Sequence, residues 1–158
     1  MTLTTYDEDL CRKIEPNVST TLERFNVLEI MRDNGISTVV WLDPILPFIN
    51  DTEENLMGLM DYCIRAKVHG IICFGFGLTL SEGNREHFYK QLDRLFPGMK
   101  QRYISTFENS YVCNSANNRH LMNVFIKQCE KHGILWKTND VFKYLQTFES
   151  KNQQLSLF

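Results

Sequence analysis

Hydrophobic positions along the first half of the chain alternate between two spacings. In "STTLERFNVLEIMRDNGI", Leu22, Phe25, Leu28 and Met31 recur three apart, which predicts an amphipathic helix. Thr20 with Glu23 three residues later forms a capping-box pattern, and Gly35 supplies the stop. "ISTVVWL" is then apolar and β-branched up to the break at Pro44, which predicts a buried strand over Ser37–Leu42. "DTEENLMGLMDYCIRAKVHG" repeats the design, with Asp51 as cap, Glu54 three on, a stripe of Leu56, Met60, Cys63 and Ile64, and Gly70 at the end. "IICFGFG" predicts a second buried strand over Ile71–Phe76. This order predicts parallel neighbouring strands, with a helix over residues 52–67 as the crossover.

The opening "MTLTT" has the composition of the end of one more strand. Parallel strands are normally covered on both faces and flanked on both edges. A strand that begins at the first residue therefore leads to the expectation that an N-terminal portion is missing and that an apolar strand edge near Leu3 lies open. From about Gly83 the strand pattern stops. Four helices are predicted, in "NREHFYKQLDRLF", "GMKQRYISTFEN", "NNRHLMNVFIKQCEKHG" and "NDVFKYLQTFES", with residues 110–118 as a polar loop. Three units follow: an α/β unit over 1–80, a helical cap over 81–149, and a polar tail over 150–158.

Composition narrows the function classes. With 43% hydrophobic residues over 158 positions, the chain can build a core of its own. A formal net charge of −2 leaves no global basic field to draw in nucleic acid. No apolar run approaches the ~20 residues of a membrane helix, and the N-terminus lacks a signal-peptide layout. No membrane association is expected. The five cysteines (Cys11, Cys63, Cys73, Cys113, Cys129) include no CxxC and no Cys/His pair at ligand spacing. They read as reduced, mostly buried thiols, which together with the absent leader predicts a cytoplasmic protein.

One ordered set of residues resembles a known family. Thr4, Thr5, Asp7, Asp9, Leu10, Ile14, Glu15, Pro16, Arg24, Gly35, Ile36, Pro44, Ile45, Pro47, Asn50 and Asp51 match, in order and spacing, the second half of the radical S-adenosylmethionine barrel in its spore photoproduct lyase-like branch. The match covers residues 1 to about 80, and the helical remainder resembles that family's C-terminal cap more loosely. The resemblance implies an α/β fold, the C-terminal half of a (β/α) TIM-like barrel made of parallel strands and followed by a helical cap. It implies a parent enzyme that cleaves S-adenosylmethionine reductively to a 5′-deoxyadenosyl radical, acting on a DNA photoproduct or another substrate. At matching positions, Thr4 and Thr5 would meet the ribose and Arg24 the methionyl carboxylate. Pro44, Ile45 and Leu46 would pack beside the cofactor, and Cys73 and Phe74 would lie near the adenine. Read as residues alone, Arg24 is equally an exposed helix arginine paired with an acid one turn away, and "PILPFIND" is a rigid strand-to-helix turn ending in an Asp51 cap.

The family's cluster-binding CxxxCxxC has no counterpart here. Without three such thiolates there is no [4Fe–4S] cluster, so the chain alone is not expected to catalyse the family reaction; the missing half of the barrel would supply it. Other signals are weaker. His69, His87, His120 and His132 show no ligand spacing. Asp7, Glu8 and Asp9 read as the start of a helix. Lys90, Arg94, Lys100 and Arg102 beside Tyr89, Phe96 and Tyr103 could suit single-stranded DNA or a mixed solvated face.

The tail "QLSLF" resembles the bacterial sliding-clamp-binding pentapeptide at all five positions, Gln154, Leu155, Ser156, Leu157 and Phe158. That resemblance implies an extended segment whose apolar side chains enter pockets on the clamp. Two further readings stay open: a non-catalytic module recruited to the replication clamp, and an unrelated complete small α/β protein.

Overall fold

The computed structural model describes residues 1–147 and is a mixed α/β structure. The first crossover unit comprises helix α2 (Thr21–Asp33), strand β1 (Val39–Trp41), helix α3 (Glu53–Arg65) and strand β2 (Gly70–Ile72). Strands β1 and β2 are parallel neighbours with Val40 opposite Ile71, and α3 is their crossover, as the alternating pattern predicts. Both strands are shorter than the apolar runs that announce them, because Asp43–Pro44 and Phe74–Gly75 turn the chain away.

Two single bridges extend this pair on either side. Leu3 N–H donates to the Trp41 carbonyl at 2.9 Å and Trp41 N–H to the Met1 carbonyl at 2.8 Å, which sets Thr2 parallel to β1. On the far side Ile71 N–H donates to the Leu135 carbonyl at 2.8 Å, and Leu135 N–H to the His69 carbonyl at 3.1 Å. Four parallel segments thus lie side by side in the order in which the chain makes them. They do not close into a barrel among the described residues.

Alternation along these segments decides which face is buried. Leu3, Val40, Leu42 and Ile71 enter one core with Phe25 and Leu28 of α2, Leu56, Leu59, Met60 and Cys63 of α3, and Leu121, Phe125 and Cys129 of helix α6 (Asn118–His132). Each such Leu, Phe or Met contributes about 1.5–3 kcal/mol by leaving water. Phe25 stacks on Tyr62 with ring centroids 4.3 Å apart, which fixes α2 against α3. Leu22, predicted to share this stripe, is exposed, and Thr21 takes the buried position at the start of α2. The predicted capping box is present, with Glu23 N–H donating to Thr20 and Thr20 N–H donating to the Glu23 carboxylate.

The remaining helices are α1 (Glu8–Ile14), α4 (Glu82–Leu95), α5 (Met99–Phe107) and α7 (Thr138–Gln146). The four predicted helices of the second half therefore form. The strands do not stop where expected, however. Strand β3 (Gly77–Thr79) pairs antiparallel with β4 (Val112–Asn114), inside the segment read as a polar loop. Cys113, fully buried between exposed Val112 and Asn114, shows the period-2 pattern that turn-forming neighbours obscure. Gly77 is required there, since a Cβ would sit 2.5 Å from the Cys113 carbonyl oxygen.

One further expectation is corrected. The cap of α3 is Thr52, whose hydroxyl accepts from Asn55 N–H, and not Asp51. The side chain of Leu3 is fully buried, while no described strand pairs with the outer edge of its segment.

The loop between β1 and α3 is tied down by two buried amides. Asn50 Oδ1 accepts from Leu46 N–H at 2.6 Å, and its Nδ2 donates to the Thr4 carbonyl at 2.7 Å. Asn55 donates to the Thr4 and Asn50 carbonyls and accepts from Tyr6 N–H at 2.6 Å. Truncating Asn50 strands buried polar groups at both ends of its reach. Asn50→Ala should therefore lower unfolding stability by roughly 2–4 kcal/mol, read from the urea midpoint. Asn26→Ala, on the exposed face of α2, should be neutral or slightly stabilising, because alanine is the better helix former.

Candidate functional site

The residues that follow the C-terminal ends of the parallel segments form one rim: Thr4 and Thr5 after Leu3, Asp43 and Pro44 after Leu42, and Cys73 and Phe74 after Ile72. Parallel α/β sheets carry their sites at this end, because the loops there converge while helices cover the outside.

At the outer end of the rim, Glu15 joins Thr4 to Arg24. Thr4 Oγ1 donates to Glu15 Oε2 at 2.7 Å, and the Arg24 guanidinium reaches both Glu15 oxygens at 3.1–3.4 Å. Arg24 also donates to the Thr2 carbonyl at 3.2 Å, capping a backbone oxygen of the outermost segment. Its side chain is only 11% exposed, so the ion pair is held in a partly desolvated place where a charge-assisted fork is strong. Arg24 is thus neither an exposed arginine nor paired one turn away. Its partner lies nine residues back, across the α1–α2 turn. A ligand carboxylate reaching Arg24 must compete with Glu15.

The other predicted site residues divide. Thr5 is buried, and its hydroxyl has no partner among the described residues. Pro44 is exposed and Ile45 lies in the core. Leu46 lines a separate cleft of about 350 Å³ with Ile14, Phe88 and Leu95, with Lys13 and Arg94 also on its wall. Cys73 is buried and Phe74 is 63% exposed. Burial pushes the Cys73 thiol up to about 11, which makes it a poor nucleophile at neutral pH.

Residues that the sequence reading did not single out complete the rim. Trp41 stands on the face opposite the helical core and meets Phe74 edge-on, with ring centroids 5.6 Å apart. Asp43 follows on the same strand face, half-buried, and burial alone raises its carboxyl above the ordinary range. A polar residue ending an otherwise apolar strand was the available signal for it. Beneath the loop, Asp51 is buried and accepts from the Ser115 hydroxyl, while the buried Tyr103 hydroxyl donates to the Pro47 carbonyl at 2.7 Å. Asp51 therefore anchors the loop to the residue that follows β4, and Tyr103 anchors it to α5.

Several candidate chemistries do not assemble. All five cysteines are free and buried, and the described residues contain no group of three or more His, Cys, Asp or Glu placed to hold a metal ion. His69 stacks on Tyr144, and His120 pairs with Glu53. Among the basic and aromatic residues of α4 and α5, Lys100 binds Asp93 at 2.7 Å, Arg102 covers Phe48, and Tyr103 is fully buried. Asp7 caps α1, as the helix-start reading of that acidic run expects. No described helix is long and apolar enough to cross a membrane. Gln154, Leu155, Ser156, Leu157 and Phe158 lie outside the described residues.

Comparison with known proteins yields no relative: no family model matches the chain, and neither does any curated protein or solved structure.

Asp43 offers a test of this rim by stability alone. Its folded-state pKa lies above the unfolded value, so above that folded pKa the protein holds an ionised carboxylate in an unfavourable place. Below the unfolded value both states are protonated and the cost vanishes. Asp43→Asn should therefore raise the melting temperature at pH 7, and the gain should fade as pH drops through the raised folded pKa. A loss of stability at pH 7 would mean that the carboxylate has a favourable partner in the fold.

Proposed function

We propose that this chain forms part of a radical S-adenosylmethionine enzyme resembling spore photoproduct lyase, supplying strands whose C-terminal ends face the cofactor. The observation that best supports this reading is the order of the parallel segments, Thr2, β1, β2 and Leu135, which follows the chain without reversal. A (β/α) barrel runs its strands sequentially, whereas a doubly wound sheet reverses its order at a switch point. The matched motif residues Thr4, Arg24 and Pro44, with Cys73 and Phe74, cluster at or just beyond the strand ends, as that reading requires. Phe74 offers an exposed aromatic face to a purine, and the Thr4–Glu15–Arg24 group offers polar contacts to the sugar or amino-acid portion.

The [4Fe–4S] cluster of that chemistry does not fit this chain. Its thiols are dispersed through the fold, and burial raises those of Cys63, Cys73, Cys113 and Cys129. In this proposal the cluster comes from a barrel half carrying CxxxCxxC, and the substrate is a DNA photoproduct or a related lesion. Equilibrium dialysis tests the part played by this chain. S-Adenosylmethionine should bind saturably to the chain combined with such a half, and Phe74→Ala or Arg24→Ala should weaken binding by roughly tenfold. Binding that neither substitution changes would remove the reading. Reconstitution of the chain alone with iron and sulfide should give no stoichiometric cluster.

A second reading rests on the five-residue match at the terminus: recruitment to a bacterial sliding clamp through Gln154–Phe158. Burying Leu155, Leu157 and Phe158 would contribute ~1.5–3 kcal/mol each, against ~2–5 kcal/mol for ordering the segment. The resulting affinity falls near the micromolar range. Leu157→Ala combined with Phe158→Ala should abolish clamp binding in a pull-down with purified clamp and leave the melting temperature unchanged. A several-degree loss of melting temperature, with no clamp affinity in the unmodified chain, would assign these residues to the core instead.

A further inference from the structure

Trp41, Asp43 and Phe74 share the sheet face that α2, α3 and α6 leave uncovered. Trp41 lies opposite Ile72 in the β1–β2 register, so the two-residue alternation brings Asp43 and Phe74 to the same side one step further on. Trp41 is 36% exposed and Phe74 63%, although large aromatic rings usually find cover. Their edge-on contact holds them against each other without hiding them. Asp43 is half-buried, lies near enough to Cys73, the neighbour of Phe74, to act on its thiol, and makes no ion pair with a described residue. Desolvation alone accounts for its raised pKa, with no neighbouring cation among the described residues to offset it.

This combination selects among ligand classes. An anion would be repelled by the carboxylate and by the negative ring faces. A neutral apolar group would cover the rings but leave Asp43 further desolvated and unpaired. A small metal ion needs several oxygen or nitrogen ligands, and the described residues hold no group of three or more candidates. An alkylammonium carries N–H groups that need acceptors, of which the carboxylate is the one charged example here. A methylated onium centre has no N–H donor and is weakly hydrated. It gains from aromatic faces and from a nearby negative charge together.

We propose that Trp41, Asp43 and Phe74 form a subsite for a methylated onium group, a sulfonium or a quaternary ammonium. The sulfonium case rests on the S-adenosylmethionine reading above; the quaternary ammonium case does not. Asp43 neutralises the positive charge, and the two rings supply the apolar contact that water cannot match. The uncompensated carboxylate is then a feature retained for binding at the expense of stability, a common pattern at functional sites.

The indole N–H resonance of Trp41, followed by ¹H–¹⁵N correlation with Trp136 as an internal reference, reports on the subsite directly. Trimethylsulfonium and tetramethylammonium should each shift the Trp41 signal saturably, and neutral tert-butanol should not. Asp43→Asn should weaken onium binding roughly tenfold and Phe74→Ala roughly fivefold, while the melting temperature confirms that both variants fold. Onium ions that act no more strongly than tert-butanol, or that bind Asp43→Asn as well as the unmodified chain, would overturn the inference. S-Adenosylmethionine in the same titration, run with the chain combined with the half carrying CxxxCxxC, separates it from the cofactor reading. Onium binding lost in Asp43→Asn, with S-adenosylmethionine binding no tighter than trimethylsulfonium, keeps the subsite and removes the cofactor. Binding of S-adenosylmethionine that Asp43→Asn leaves unchanged keeps the cofactor and removes the subsite.

Discussion

Two buried side-chain amides, Asn50 and Asn55, meet at a single backbone carbonyl, that of Thr4, and the geometry of the rim follows from their junction. The first parallel segment is bound to β1 by only a few backbone hydrogen bonds, too few to fix a strand on their own. The amides add a second attachment from the side of the β1–α3 loop, where the surroundings are dry and each bond is correspondingly costly to lose. Because Asn50 also accepts from Leu46 N–H, the same group that holds the first segment holds the loop. Because Asn55 belongs to the first turn of α3, that loop is registered against the crossover helix as well. Strand end, loop and helix start move as one body.

That body explains why "PILPFIND" reads more securely as fold than as site. Its Asn and Asp are both buried and both spent on internal hydrogen bonds, one toward the first segment and one toward Ser115. A sequence pattern can show that polar residues stand at a strand end. It cannot show whether they face a ligand or another loop, since both roles select the same short side chains able to bond to the backbone. Asp51 illustrates the ambiguity: its spacing to Glu54 fits a helix cap, yet Thr52 takes that place because the buried direction belongs to Asp51.

The parallel βαβ unit was legible because its signals are local and redundant: a capping box, a three-apart stripe, an apolar run bounded by Pro44, and the same sequence of signals again. What was not legible depended on contacts distant along the chain. Strand β4 is three residues long among Asn and Ser residues, and it exists because β3 lies opposite it. The bridge at Leu135 has no strand of its own and follows from where α6 delivers the chain. The Glu15–Arg24 pair joins residues nine apart across a turn, a separation at which no helical spacing rule applies. In each case the decisive partner is absent from the window in which periodicity can be read.

The two ends of the rim answer the problem of a charge near a strand end in opposite ways. At the outer end Glu15 and Arg24 neutralise each other, and Thr4 completes the hydrogen bonding, so the charges stabilise the arrangement they occupy. At the inner end Asp43 has no counter-charge among the described residues, so its ionised form is held at a cost. A carboxylate of that kind persists in a fold without helping to build it, and asparagine would fit the same volume with less desolvation. The outer group therefore carries part of the architecture whatever it also binds, and the inner group is the part of the rim whose chemistry the fold itself does not explain.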